Sequence, residues 1–161
     1  MPTTQTLETT QELSHAEENA KNWADSISAA CEAVSFCHGN CDGSEISREA
    51  KAVLRQHAYD GTNAEVICEW IEDEMREACL SVETRSGWAC PGESASMEPE
   101  EFRILLTCGG PALRIRGELN RGEPCRCWLQ HQDWGTPWTQ FFGADQDALL
   151  WFASLFYYGE A

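Results

Sequence analysis

Residues 101–142 read EFRILLTCGGPALRIRGELNRGEPCRCWLQHQDWGTPWTQFF: runs of strand length broken by two turn signals. The signals are Gly109-Gly110-Pro111 and Asn120-Arg121-Gly122-Glu123-Pro124, where Gly permits positive φ and Pro cannot donate to a ladder. Turns this short lay the flanking runs antiparallel, so the stretch is read as a β-meander. Alternation then assigns the faces. In 112–119, Leu113, Ile115 and Leu119 point one way and Arg114, Arg116 and Glu118 the other. In 125–132, Cys125, Cys127 and Leu129 share a face opposite Arg126, Trp128 and Gln130. Residues 102–108 supply a further strand. Ahead of it, 80–88 (LSVETRSGW) sets Leu80, Val82 and Thr84 against Glu83 and Arg85. The stretch closes on Asp133-Trp134-Gly135-Thr136-Pro137-Trp138, where Gly135 and Pro137 force a turn between two indoles. With Phe141 and Phe142 these read as a plug at one end of the core; exposed, Trp134 and Trp138 would be a partner-binding pair.

Everything upstream is helical in pattern. Residues 1–11 form a polar tail. A first helix spans about 12–36, with Trp23, Ile27, Ala30 and Val34 at steps of three and four. That stripe is thin, which predicts loose packing or a homodimer through this helix. His38-Gly39-Asn40 and Asp42-Gly43 end it. Ser44 or Ser47 caps a second helix over 46–57 that buries Ala50, Val53 and Leu54. Thr62 and Glu65 form a capping box for a third helix, 63–79, with Val66, Ile67, Trp70, Ile71, Met75 and Ala78 as its apolar face. A last helix, 145–158, lies across the sheet and stops at Gly159. The fold class expected is α+β: an N-terminal helical segment, a four-stranded antiparallel sheet, and a C-terminal helix packed on one face. The division expected is 1–57 as tail and helical extension and 58–161 as the α+β domain.

Charge narrows the partners. The chain has 27 acidic and 11 basic residues, net -16, and residues 1–80 hold 16 of the acids against 5 bases. Such a surface repels nucleic acid and anionic membranes and favours basic protein surfaces. Glu65, Glu69, Glu72 and Asp73 line the third helix, and Glu17, Glu18 and Asp25 lie on the first. Neighbours three or four apart on a helix are ~5–6 Å apart between Cβ atoms, comparable to the roughly 6–7 Å between phosphates along a nucleic-acid strand. An acidic face of this kind mimics nucleic acid; the alternative is plain solvation. No apolar run approaches the ~18 residues of a membrane span, and no basic segment with an apolar stretch opens the chain. The expected setting is the cytoplasm, with the nine Cys reduced.

Candidate chemistry is sparse. Cys31, Cys37, His38 and Cys41 carry the right atoms for zinc, but they include no Cys-x-x-Cys pair and no second knuckle. No cofactor is expected; a zinc-stabilised interaction module is the alternative. There is no Gly-x-Gly-x-x-Gly, Walker loop or nucleophile elbow, so the chain is read as non-enzymatic. A Cys/His enzyme using His15, His38, His57 or His131 stands as a second alternative. On the outward sheet face, Arg85, Arg114, Arg116, Arg126 and Trp128 fall together. Single-strand RNA binders use such faces, but the net charge opposes this. Cross-strand pairing with Glu83 and Glu118 is the preferred reading.

Four segments carry a family resemblance: Ala58-Tyr59-Asp60-Gly61-Thr62-Asn63-Ala64-Glu65, Leu80-Ser81-Val82-Glu83-Thr84-Arg85-Ser86-Gly87-Trp88, Gln132-Asp133-Trp134-Gly135-Thr136-Pro137-Trp138-Thr139 and Phe156-Tyr157-Tyr158-Gly159-Glu160. Across about two thirds of the chain these resemble a group of small proteins encoded by bacteriophages and prophages. The resemblance brings no catalytic residues. It implies a phage-borne accessory protein acting in the bacterial host, and by analogy of setting an anti-defence factor of the anti-CRISPR kind. The function expected is inhibition, without catalysis, of a bacterial defence complex that handles nucleic acid.

Overall fold

The computed structural model describes residues 14–93 and 97–159. Five strands form one antiparallel sheet in chain order: β1 (Ser81–Arg85), β2 (Glu101–Thr107), β3 (Ala112–Asn120), β4 (Glu123–Gln132) and β5 (Thr139–Gln140). The helices are α1 (His15–Cys37), α2 (Arg48–Gln56), α3 (Ala64–Glu77) and α4 (Gln146–Ser154). The α+β class and the meander are as the alternation predicts, with one strand more. β5 is two residues long, too short to show a period, and pairs through Gln130↔Gln140 and His131↔Thr139. Both turn signals make hairpins. Arg121 and Gly122 sit at φ 53 and 79, the paired positive angles that match the twist of the flanking strands.

The inner sheet face is the main core. Phe102, Ile104 and Leu106 from β2, Leu113 and Ile115 from β3, and Cys127 and Leu129 from β4 are all buried there. Gly117 lies among them because a Cβ would run into the Phe102 ring and the Arg126 carbonyl. Ala148, Leu149, Phe152 and Ala153 of α4 cover this face together with Ala20, Ala24 and Ile27 of α1. Tyr158 seals the end: its ring is 4.8 Å from that of Phe102 and its hydroxyl donates to the Ala153 carbonyl at 2.7 Å. Cys125, expected beside Cys127 in the core, is exposed. It is the residue skipped by the register shift, since Glu118 pairs with Arg126 and Leu119 with Pro124, and so it leaves the alternation that buries Cys127.

The other half of α1 builds a second cluster. Ala30, Ala33 and Val34 pack against Ile46, Ala50 and Leu54 near and on α2, and against Ile67, Cys68 and Ile71 of α3. Met75 and Trp151 touch both clusters. The protein is thus layered as sheet, then α1 with α4, then α2 with α3. A division after residue 57 is not how the cores divide, because α1 supplies side chains to both. Nor is α1 loosely packed: Ile27 is fully buried and Val34 nearly so, and Trp23 packs on the sheet core. The stripe on which a homodimer was expected is already occupied within the chain.

Local caps set the helix ends. Ser14 and Glu17 form a reciprocal capping box on α1, and Ser47 accepts from the Ala50 N–H at 3.0 Å on α2. The box expected at Thr62 and Glu65 is not made. Thr62 donates instead through its N–H and hydroxyl to Asp60, and Asn63 caps α3 without a side-chain bond. Asp145 caps α4, which ends at Ser154 rather than at 158. The expected tail and the first residues of the expected first helix lie outside the described residues.

Candidate functional surfaces

The α3 helix buries Ile67, Cys68 and Ile71 against α1 and α2. This turns the face expected to be apolar partly outward: Val66 is 45% and Trp70 54% exposed, and Ala78 is exposed as well. Residues 66, 69, 70, 73 and 77 are neighbours at helical spacing, so Val66 and Trp70 lie among Glu65, Glu69, Asp73 and Glu77. Among the described residues Glu65, Glu69 and Glu77 have no cationic partner. Glu72 and Asp73 flank Arg76, and Glu74 meets His57 Nε2 at 3.0 Å.

The acids of α1 do not extend this surface. Cys68 reaches the Val34 carbonyl at 3.9 Å, so the first turns of α3 sit beside the C-terminal end of α1. Glu17 and Glu18 lie at the other end, roughly 25 Å away at the ~1.5 Å rise per residue of a helix. Glu17 is engaged in the cap, and Asp25 pairs with Lys21 at 2.6 Å. The carboxylates expected to meet a partner thus fall in two places, a compact face on α3 and separate acids on α1.

On the outward sheet face the register sets Glu83, Arg103, Arg116 and Trp128 in one row and Arg85, Glu101, Glu118 and Arg126 in the next. The expected cross-strand pairs form. Arg103 Nε donates to Glu83 at 2.6 Å, Arg85 and Arg116 both reach Glu101, at 2.8 and 2.9 Å, and Arg126 meets Glu118 at 3.1 Å. The hydrogen bond from Arg116, with help from Arg85, holds the Glu101 carboxyl below the usual carboxylate range. Arg114 differs. Among the described residues it has no carboxylate partner. Its Nε donates to Gln130 at 2.9 Å, and its guanidinium lies 4.0 Å from the centre of the Trp138 ring. Partial burial, and then the charges of Arg103 and Arg116, pull its pKa below the ordinary guanidinium value.

The aromatic turn is not the expected plug. Trp134 is 78% and Phe142 84% exposed; only Phe141 packs on the main core. Trp138 is half-buried under Arg114, a contact that spacing along the chain did not reveal. The turn is held by Thr136, whose hydroxyl donates to the Asp133 carbonyl at 3.0 Å and accepts from the Asp133 N–H at 3.1 Å.

The thiols do not assemble a centre. Among the described residues no three His, Cys, Asp or Glu side chains are placed to hold a metal ion, so Cys31, Cys37, His38 and Cys41 do not converge. His38 caps α1 through its backbone and its side chain is exposed, while Cys37 turns towards Cys68 of α3. Burial pushes the Cys31 thiol up to about 11 and those of Cys68, Cys79 and Cys127 up to about 12. Thiols held protonated in this way are poor nucleophiles and poor ligands at neutral pH. Among the described residues no helix is long and apolar enough to cross a membrane. Comparison of the chain with protein-family models, with curated proteins and with solved structures gives no match.

Proposed function

We propose that this chain is a non-enzymatic binding protein that sets the outer face of α3 into a basic groove on another protein and inhibits it by occupying that groove. The observation that carries the reading is Trp70, a large aromatic left 54% exposed beside Val66 and ringed by carboxylates. Indoles are favoured anchors of interfaces, and unpaired acids around them steer a basic partner and suppress others. Solvation alone accounts for the acids but not for the indole. The burial that holds the Cys31, Cys68, Cys79 and Cys127 thiols protonated supports a role without catalysis. The resemblance of residues 58–65, 80–88, 132–139 and 156–160 to phage-borne proteins supports a bacterial target whose basic groove handles nucleic acid, such as a defence complex.

The test uses the protein as bait in a bacterial lysate, with Trp70→Ala, with Glu65→Lys plus Glu69→Lys, and with Glu8→Lys plus Glu12→Lys as control. The chains held by the native protein should be held by the control, lost from the two α3 variants, and released by salt. Retention of the same chains by all four baits would remove α3 as the binding face.

A further inference from the structure

The sheet carries a second surface, of the opposite sign. Five of the chain's eleven basic residues stand on its outward face: Arg85, Arg103, Arg114, Arg116 and Arg126. Four of them, all but Arg126, line a groove of about 570 Å³ in which Glu83 and Glu101 are the only carboxylates among the described residues. Arg103 and Arg116 are direct cross-strand partners. Like charges placed so cost stability unless an anion lies between them. The internal anions do not complete the set, because Glu101 is shared by two guanidinium groups and, among the described residues, Arg114 has no carboxylate partner. Arg114 is nevertheless held in place by Gln130 and Trp138, and only one of its five N–H donors is used among the described residues.

The geometry points to a binding site for a small dianionic phosphate in this groove, with Arg114 as its principal donor and Arg103 and Arg116 beside it. A phosphate suits the arrangement better than a carboxylate does. Its tetrahedral oxygens accept from guanidinium groups on adjacent strands at once, whereas a planar carboxylate fills a single fork. The excess of two positive charges in the groove matches a phosphate monoester. A nucleic-acid strand is disfavoured, since a chain of phosphates leaves the groove and meets the field of a protein with net charge -16. A small ion feels mainly the charges within a Debye length, ~8 Å at physiological salt. The same chemistry is offered by free phosphate and by a nucleotide, and Trp128, in register beside Arg116, offers a ring on which a base could stack.

The experiment is calorimetric titration of the intact protein with inorganic phosphate, adenosine 5′-monophosphate, adenosine, and a single-stranded oligonucleotide. Phosphate and the monophosphate should bind and adenosine should not. Equal binding of the first two assigns the site to the phosphate alone; tighter binding of the monophosphate adds a base contact. Arg114→Gln should weaken binding by about tenfold or more, the loss of one charge-assisted hydrogen bond. Glu83→Gln, which frees Arg103 at an exposed position, should tighten it, and this gain cannot come from misfolding. Absence of binding by the native protein, equal affinity across the variants, or tighter binding of the oligonucleotide than of the monophosphate would each overturn the assignment.

Discussion

Trp134 lies over Gly110, so close that a Cβ on residue 110 would overlap the indole. The contact joins the turn after β4 to the turn between β2 and β3, and explains why an exposed indole still has a fixed place. Gly110 is also at φ +103, a region that side chains other than hydrogen rarely adopt. Gly110→Ala should therefore destabilise the protein by about 1–3 kcal/mol from backbone strain alone, with the overlap added. Trp134→Ala should be mild by itself. In urea denaturation the double variant should recover the overlap but not the backbone part, so its loss should be smaller than that of Gly110→Ala.

The two faces of α3 should respond differently. Ile71 is buried in the second core, and Ile71→Ala should cost about 2–5 kcal/mol. Trp70→Ala removes a larger side chain from a half-exposed site and should fall near the ±0.5 kcal/mol typical of surface changes. Thermal melting of the two variants checks which face packs.

Glu101 makes stability depend on acid. Its folded pKa is lowered, so its pairing contributes above the ordinary glutamate value of 4.5 and is lost as pH falls through the lower folded value. Glu101→Gln should cost roughly 0.5–1 kcal/mol at pH 7, the upper part of the range for partly exposed pairs. Urea midpoints taken across pH should show the two proteins converging as pH drops below 4.5.

Thiol exposure orders reactivity. Cys90, Cys108 and Cys125 are exposed, whereas Cys68 and Cys127 are buried and burial pushes both their thiols up to about 12. Iodoacetamide at neutral pH should modify the first three before any other cysteine, read by peptide mass. Early modification of Cys127 would show that the sheet core opens.

Metal removal should change nothing. With no converging ligand set among the described residues, a chelator should leave the melting temperature where it is. A drop of many degrees, or zinc recovered with the purified protein, would restore the knuckle at Cys37, His38 and Cys41.

The local order of this protein follows from its sequence. Gly109-Gly110-Pro111 and the Arg121-Gly122 pair dictate where the chain reverses, because few residues accept those backbone angles. Alternation then put Leu113, Ile115, Cys127 and Leu129 on one sheet face and Arg114, Arg116, Arg126 and Trp128 on the other, so most of the Arg face was legible from single strands. What each helix faces depends instead on packing between elements. The α1 helix looked weak because Ala16, Ala20, Ala24, Ala30 and Ala33 contribute little apolar area each; yet their small size lets the sheet, α2, α3 and α4 approach one helix from several sides. On α3 the apolar residues spread wider than one stripe, and packing against α1 chose Ile67, Cys68 and Ile71 and left Val66 and Trp70 outside. The stacking of Arg114 on Trp138 and of Trp134 on Gly110 joins residues more than twenty positions apart. A local pattern specifies angles and faces, but which faces meet depends on how all the elements share the available volume.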